Sequence, residues 1–407
     1  MRISFVWTVL ILLVTSASFS KSRVENSFES VDPQERAKIQ GLISGIRETQ
    51  TKIKTEKFRD AHAKEHGCVD TAELTIKFDP KVDAATKKKL QVGYFAEEGR
   101  VFKNVVVRFS PGPGVPNYDD RKGGAQGMAV KIPLNAKERA KLLPVEGETE
   151  HYVDEKYYKT FDIVTINHNR EFFVNHIDDY PAFFAASGKV ARETAALTDP
   201  AEIKKLTVKI LTENYIAPAG GPLRKHEGEL IFAVASSFPK NNLLETYNSW
   251  VPSLLGKEAI KYEFAPVSAV TSASYQIPKS IDWQNDPNFS AKVIAYELGQ
   301  KDHVFKLNVQ FRLPEFPSVE EGAGIWPADK SPYVQVGELR IPKGSKFIDH
   351  KLCEAMSFNP AHASAEHYPI GGIQRARVGG LDEKGLFEGI YSAIHKARNI
   401  SAGNKPL

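Results

Sequence analysis

The chain has 407 residues, with 54 Lys and Arg against 50 Asp and Glu, and 42% of it is hydrophobic. That balance excludes a disordered chain, a collagen-like chain and a polytopic membrane protein, and a net charge of +4 is too small to argue for nucleic acid. At roughly 100–200 residues per domain, the length allows two or three domains or one large one.

In chain order, residues 1–20 read as a cleaved secretory signal: a charged start, an apolar run over 5–14, and small residues through Ser20. The run falls short of the roughly 20 residues a spanning helix needs. A secreted or periplasmic address follows, with the mature chain beginning near Lys21. Asp32-Pro33 opens a helix whose stripe of Ile39, Leu42, Ile43, Ile46 and Ile53 carries it to about Lys57, so 21–57 is predicted to be an N-terminal helical arm. Alternation then predicts strands over 72–78, 101–109, 127–132 and 161–166. The stretch from 178 to 260 reads as mostly helical, with Asp199-Pro200 as a second capped start. Further strands are predicted over 291–298, 305–311 and 333–341, with Gly337 breaking the last as a bulge would. Helical spacing of Leu386, Phe387, Ile390, Tyr391 and Ile394 closes the chain. The pattern predicts an α+β fold, an antiparallel β-barrel core with surrounding and C-terminal helices, and one large domain over 58–407.

Cys68 and Cys353 are the only cysteines; one bridge and two buried thiols are both open. His62 and His66, four apart, invite a metal reading, but Ala63 stands where the zincin pattern needs Glu, and a solvated or capping pair is the commoner outcome. The glycine-rich run from Gly112 to Gly124 lacks phosphate-loop spacing and enters strand texture, so it reads as a long hairpin connection.

Five segments in order carry a resemblance. Arg59-x-x-His62-Ala63-Lys64 precedes Arg108-Phe109-Ser110, then Gly127-Met128-Ala129-Val130-Lys131 and Phe172-Phe173-Val174. The fifth is Ser357-Phe358-Asn359-Pro360 with the run from Glu366-His367-Tyr368 to Gln374-Arg375-Ala376-Arg377. Together they resemble the haem catalases, most nearly the small catalase-related haem peroxidases that lack the appended C-terminal domain.

The resemblance implies haem b and a set of roles around it. His62 matches the distal base, Ser110 the hydroxyl that orients its ring, and Asn167 the distal amide. Arg59 and Arg108 match residues that grip the haem propionates, with Arg377 also beside the cofactor. Phe172, with Phe173 and Met128, would be pocket wall or ordinary core. Tyr391 matches the tyrosinate that ligates the iron, provided an insertion of about ten residues follows Arg377. That insertion displaces the arginine expected one turn before the tyrosine, where Phe387 stands. The implied activity is a secreted haem-dependent peroxidase or catalase-like enzyme that reduces hydrogen peroxide or organic hydroperoxides. Two alternatives are a relative that has lost haem ligation and acts as a binding protein, and a fatty-acid hydroperoxide isomerase. The implied partner is a small peroxide, with no nucleic acid and no membrane span after signal cleavage; a homo-oligomer is compatible.

Overall fold

The computed structural model describes residues 22–53, 59, 61–194, 196–197 and 199–406. The predicted signal at 1–20 lies outside the described residues. Eleven strands alternate with helices. In chain order they begin α1 (Glu35–Ile53), β1 (Gly67–Ile76), α2 (Ala84–Leu90), β2 (Val101–Pro111), β3 (Gln126–Pro133), α3 (Ala136–Arg139), α4 (Glu155–Tyr158) and β4 (Thr160–Asn167). Then come α5 (Tyr180–Thr194), α6 (Pro200–Leu211), α7 (Lys225–Ala235), β5 (Tyr247–Asn248), β6 (Ser253–Leu255) and β7 (Glu258–Pro266). The chain ends with α8 (Phe289–Gln300), β8 (His303–Phe311), β9 (Val334–Ile341), α9 (His350–Ala355), α10 (Gly372–Val378), β10 (Gly380–Asp382), β11 (Gly385–Phe387) and α11 (Ile390–Ser401).

Hydrogen bonding runs β5-β4-β3-β2-β1-β9-β8-β7, and β5 pairs again with β7, so eight antiparallel strands close a barrel with β6 added beside β7. Closure removes the free sheet edges. Alternation decides which side chains fill it: Val107 and Phe109 from β2, Met128 and Val130 from β3, Phe161 and Ile163 from β4, Phe264 from β7 and Leu307 from β8 pack inside. An eight-stranded barrel is filled by such side chains, each buried Phe or Leu contributing roughly 1.5–3 kcal/mol. Their neighbours face outward, under the helices. A second apolar cluster covers that outer side, joining Ile39, Leu42, Ile43 and Ile46 of α1 to Phe172, Trp250, Ile373, Phe387, Ile390 and Ile394.

The structure corrects three sequence expectations. Residues 291–298 are helix, not strand: Phe289, Val293, Ile294, Glu297 and Leu298 are buried at helical spacing, which a short apolar run does not separate from a strand. The closing strand β7 lies at the end of the stretch read as helical. Leu386 and Phe387 belong to the β10–β11 hairpin, and this hairpin is the insertion between Arg377 and Tyr391. The bulge at Gly337 is present, because Leu307 pairs with Gly337 while Asn308 pairs with Gln335. Cys68 of β1 and Cys353 of α9 are disulfide-bonded across 285 residues, which settles the two readings left open for them.

Candidate functional site

The site is laid out on the outer face of β1–β4. Register aligns Cys68, Arg108, Ala129 and Val164 in one row across these strands, and Ser110, Gly127 and Ile166 in the next. The two middle positions of β3, Gly127 and Ala129, are small, so this face carries a shallow platform. The imidazole of His62 lies over Gly127: a Cβ built there would stand 2.6 Å from Nδ1 of His62 and 3.0 Å from Oγ of Ser110. Ser110 Oγ is 3.2 Å from Nδ1. His62 itself sits at φ 58°, in the left-handed region that costs a non-glycine residue about 1–3 kcal/mol. Backbone bonds hold it there, from His62 N to Gly112 O (2.9 Å) and Ala63 N to Pro113 O (3.2 Å). Both acceptors lie in the glycine- and proline-rich β2–β3 connection. Desolvation first, then the charge of Arg108, push the imidazole down to about 3, with a smaller downward push from Arg377. At neutral pH the ring is uncharged.

Beside His62 two arginines pair with one carboxylate, and the charge of a third, Arg398, also acts on it. Nη2 of Arg108 donates to His62 O at 3.0 Å and to Glu354 Oε1 at 2.9 Å. Arg59 donates through Nε to Glu354 at 3.3 and 3.5 Å and through Nη2 to Met356 O at 3.0 Å. Arg398 of α11 donates to the same Met356 carbonyl and to His395 Nδ1. Burial would raise Glu354, but Arg59, Arg108 and Arg398 hold it at about 2. Burial pushes Arg59 down to about 10 and Arg398 well below its ordinary value, and each is lowered further by the other arginines. Glu148 is engaged elsewhere, bonding His362, Ser357 and Asn359. Among the described residues, Glu354 is the one carboxylate that hydrogen-bonds the three-arginine cluster, with Glu65 and Glu148 acting on Arg59 and Arg398 through their charge; the cations outnumber the paired anion there, and Nε of Arg108 is buried with no hydrogen-bond partner. Such a surplus of buried positive charge is costly unless an anion enters.

The tyrosine lies at the other end. Tyr391, half-buried on the first turn of α11, has its hydroxyl 2.8 Å from Nη2 of Arg377, whose guanidinium also stands over the ring at 5.2 Å from its centroid. Arg377 comes from α10, before the hairpin insertion, and reaches Tyr391 across it. Its charge is also felt by His62.

The other expected residues are placed differently. Asn167 is fully buried, and its amide is committed: Oδ1 accepts from Gln126 N at 2.7 Å, and Nδ2 donates to Glu245 at 2.9 Å. Phe172 stacks on Phe173 and meets Trp250 and Tyr180 within the cluster that includes α11. Met128 points into the barrel. His66 bonds Asp120 through Nε2 at 2.9 Å and Asn242 through Nδ1 at 3.2 Å, apart from the bond His62 makes to Ser110. Among the described residues, no group of three or more His, Cys, Asp and Glu could hold a metal ion.

Sequence reasoning missed Glu354, Arg398 and Gly127 as site residues. For Glu354 the only local signal was its place after Cys353. A second buried network was also missed: His362 lies between Asp162 (2.9 Å) and Glu148 (2.8 Å), and Lys131 reaches Asp162 at 2.7 Å. Burial disfavours the imidazolium, yet the two carboxylates raise His362 to about 9.

No family model matches the chain, and no curated protein matches it by sequence. Solved structures do. A fungal catalase superposes with a TM-score of 0.54 at 15% identity, covering 89% of this chain and 64% of that one. Catalase A from Saccharomyces cerevisiae gives 0.57 at 14% identity, with 93% and 67% covered. A bacterial catalase gives 0.50 at 15% identity, with 100% and 70% covered. The chain therefore spans about two thirds of the length of these catalases. The closed antiparallel barrel, the helices around it and this match together show that the chain has the catalase-like fold.

Proposed function

We propose that the chain binds haem b and reduces hydrogen peroxide or an organic hydroperoxide. The observation that carries this reading is the grouping of an uncharged His62, held by Ser110 over Gly127, with an anion-seeking arginine cluster on one side and the Arg377–Tyr391 pair on the other. The residues present suit a haem. Two carboxylates entering the Arg59, Arg108 and Arg398 cluster would reduce its surplus positive charge, and the orphaned Nε of Arg108 is a donor for one of them. Tyr391 would hold the iron through its phenol oxygen, to which Arg377 donates. Gly127 leaves room for the His62 imidazole on the strand face, and Phe172 would be part of the apolar wall.

When bound, the iron supplies the redox chemistry that cleaves the O–O bond. The protein's part is proton movement and positioning. With Nδ1 engaged by Ser110, Nε2 of His62 takes the proton from one peroxide oxygen and returns it to the other, so that the leaving oxygen departs as water or alcohol. The low proton affinity of the buried ring keeps it ready to accept at neutral pH. The amide of Asn167, already paired, contributes to the strand framework beneath the site and not a free donor.

We further propose a secreted or extracytoplasmic setting. The leader-like residues 1–20 and the Cys68–Cys353 disulfide support it, since such bonds persist in oxidising compartments. No helix among the described residues is long and apolar enough to cross a membrane. The test is a haemin titration of the purified protein, followed by turnover of hydrogen peroxide and of a lipid hydroperoxide. A Soret band that saturates at one haemin per chain is expected; no uptake sinks the reading. Preference for the lipid hydroperoxide with no net reduction would favour the isomerase.

A further inference from the structure

We propose that Glu354 is a built-in carboxylate that occupies the arginine cluster until a ligand's own carboxylates displace it, so that the site selects a ligand with a doubly charged edge. The proposal deepens the haem reading above and rests on it for the identity of the natural ligand.

The cations are fixed and the anion is not. Arg108 is tied by its Nη2 to the carbonyls of His62 and Lys64, and its side chain is 4% exposed. Arg59 is tied by Nη2 to the carbonyls of Cys353, Glu354 and Met356. Glu354 keeps 26% exposure, and its contacts with Arg59, at 3.3 and 3.5 Å, are at the long limit of hydrogen bonding. The carboxylate therefore sits between the guanidiniums and solvent, with room to swing outward, while the guanidiniums stay in place.

The backbone beneath Glu354 cannot follow that swing. Cys353 is bonded to Cys68, and Cys68 is the direct cross-strand neighbour of Arg108. The disulfide thus holds the backbone of Glu354 near Arg108 whether or not its carboxylate is paired there. One carboxylate leaves the three arginines under-neutralised, and Nε of Arg108 has no acceptor. A single incoming carboxylate only exchanges for Glu354. A pair of carboxylates exchanges for it and removes one further unit of the surplus positive charge, so it gains what a single one cannot. A ligand whose carboxylates are esterified has nothing to offer Arg108 in return.

The experiment uses the full oxidised chain and its Glu354→Gln variant with three probes: haemin, haemin dimethyl ester and glutarate. Soret titration reads the first two, and thermal shift reads the third. The variant is expected to bind haemin about fivefold or more tightly than wild type, to bind the dimethyl ester no better, and to be stabilised more by glutarate. Glu354→Asp keeps the charge but shortens its reach, and a smaller shift in the same direction is expected if the Gln variant does not accumulate. Unchanged or weaker binding of both haemin and glutarate by the variants overturns the proposal while leaving haem binding by wild type intact. Discrimination of glutarate with no haemin uptake by either protein upholds the displaced carboxylate and removes the haem reading. Tighter binding of the diester than of haemin by the variant also overturns it.

Discussion

Nη2 of Arg377 lies 2.8 Å from the hydroxyl oxygen of Tyr391, fourteen residues later, because the β10–β11 hairpin folds out between α10 and α11 and lets the two helices meet. Gly379 and Gly389, at the base of the hairpin, approach so closely that a Cβ on Gly389 would stand 2.2 Å from Gly379 N, so the insertion is pinched shut at its stem. If Tyr391 holds the iron, Arg377 is the side chain that donates to its oxygen. Tyr391→Phe is then expected to abolish the haem spectrum of the wild type, and Arg377→Leu to weaken haemin binding about tenfold with a shifted Soret maximum. A Phe variant with an unchanged spectrum removes Tyr391 from the role.

Gly127 gives a sharper test of the His62 site. Its φ is ordinary, so alanine is tolerated by the backbone, and the methyl group would meet the imidazole and the Ser110 hydroxyl at 2.6 and 3.0 Å. The ring must move off the strand face. Gly127→Ala is expected to fold with unchanged circular dichroism but to lose a large part of peroxide turnover, on the order of the 10²–10⁴-fold a general base contributes. Full activity in this variant would mean that the His62 position over β3 is not the working one.

Much of this was legible in the sequence, and the reason differs by residue. Strands such as 127–132 and 305–311 alternate because one face fills the barrel, and that alternation is local. His62, Ser110 and Arg108 stand in short motifs, so their grouping could be expected from their order along the chain. Glu354 could not, because it matters only through a disulfide joining residues 285 apart and through arginines from three separate segments. Arg377 was legible as part of a motif, but not as the partner of Tyr391, since a hairpin of unknown path lay between them. Asn167 shows the opposite limit: its position in order suited a distal amide, while β3–β4 pairing and Glu245 absorb both ends of it.

Stability should pass through a maximum near neutral pH. His367 and His395 are buried, and desolvation pushes them down to about 4 and about 3; His62, half-buried, moves the same way. Below the ordinary imidazole value of about 6.5 the unfolded chain binds these protons and the folded chain does not, so stability falls as pH drops toward 4. His362 runs the other way: Glu148 and Asp162 raise it to about 9 against the cost of burial. Its contribution is complete below about 6.5 and is lost as pH rises through 9. Melting temperatures from pH 4 to 10 should fall on both sides, and His362→Asn should flatten the alkaline fall. A monotonic profile in the wild type would show that these rings do not titrate as their surroundings require.

The same low value for His62 predicts a flat rate profile. The ring stays uncharged from pH 5 to 8, so the rate limited by proton transfer to Nε2 should not change across that range, and should drop only toward about 3. A bell with an acid limb near 6.5 would mean that the base titrates as a solvated histidine.

The disulfide closes a loop of 285 residues and anchors α9, so its loss acts on both the folded and the unfolded chain. Breaking such a bond is expected to cost about 2–5 kcal/mol, chiefly by freeing the unfolded ensemble. In urea, Cys353→Ser should therefore lower the midpoint and raise the dependence on denaturant, because an uncrosslinked unfolded chain exposes more surface. Cys68→Ser should do the same, and the double variant should cost no more than either single one, since each already removes the whole bond. Additive losses would show that the two sulfurs stabilise the fold separately, by packing at 0% exposure, and not through the covalent link. The link also fixes the backbone of Glu354 beside Arg108, so the single variants should loosen the ion pair and alter haemin affinity even under conditions where the fold stays intact.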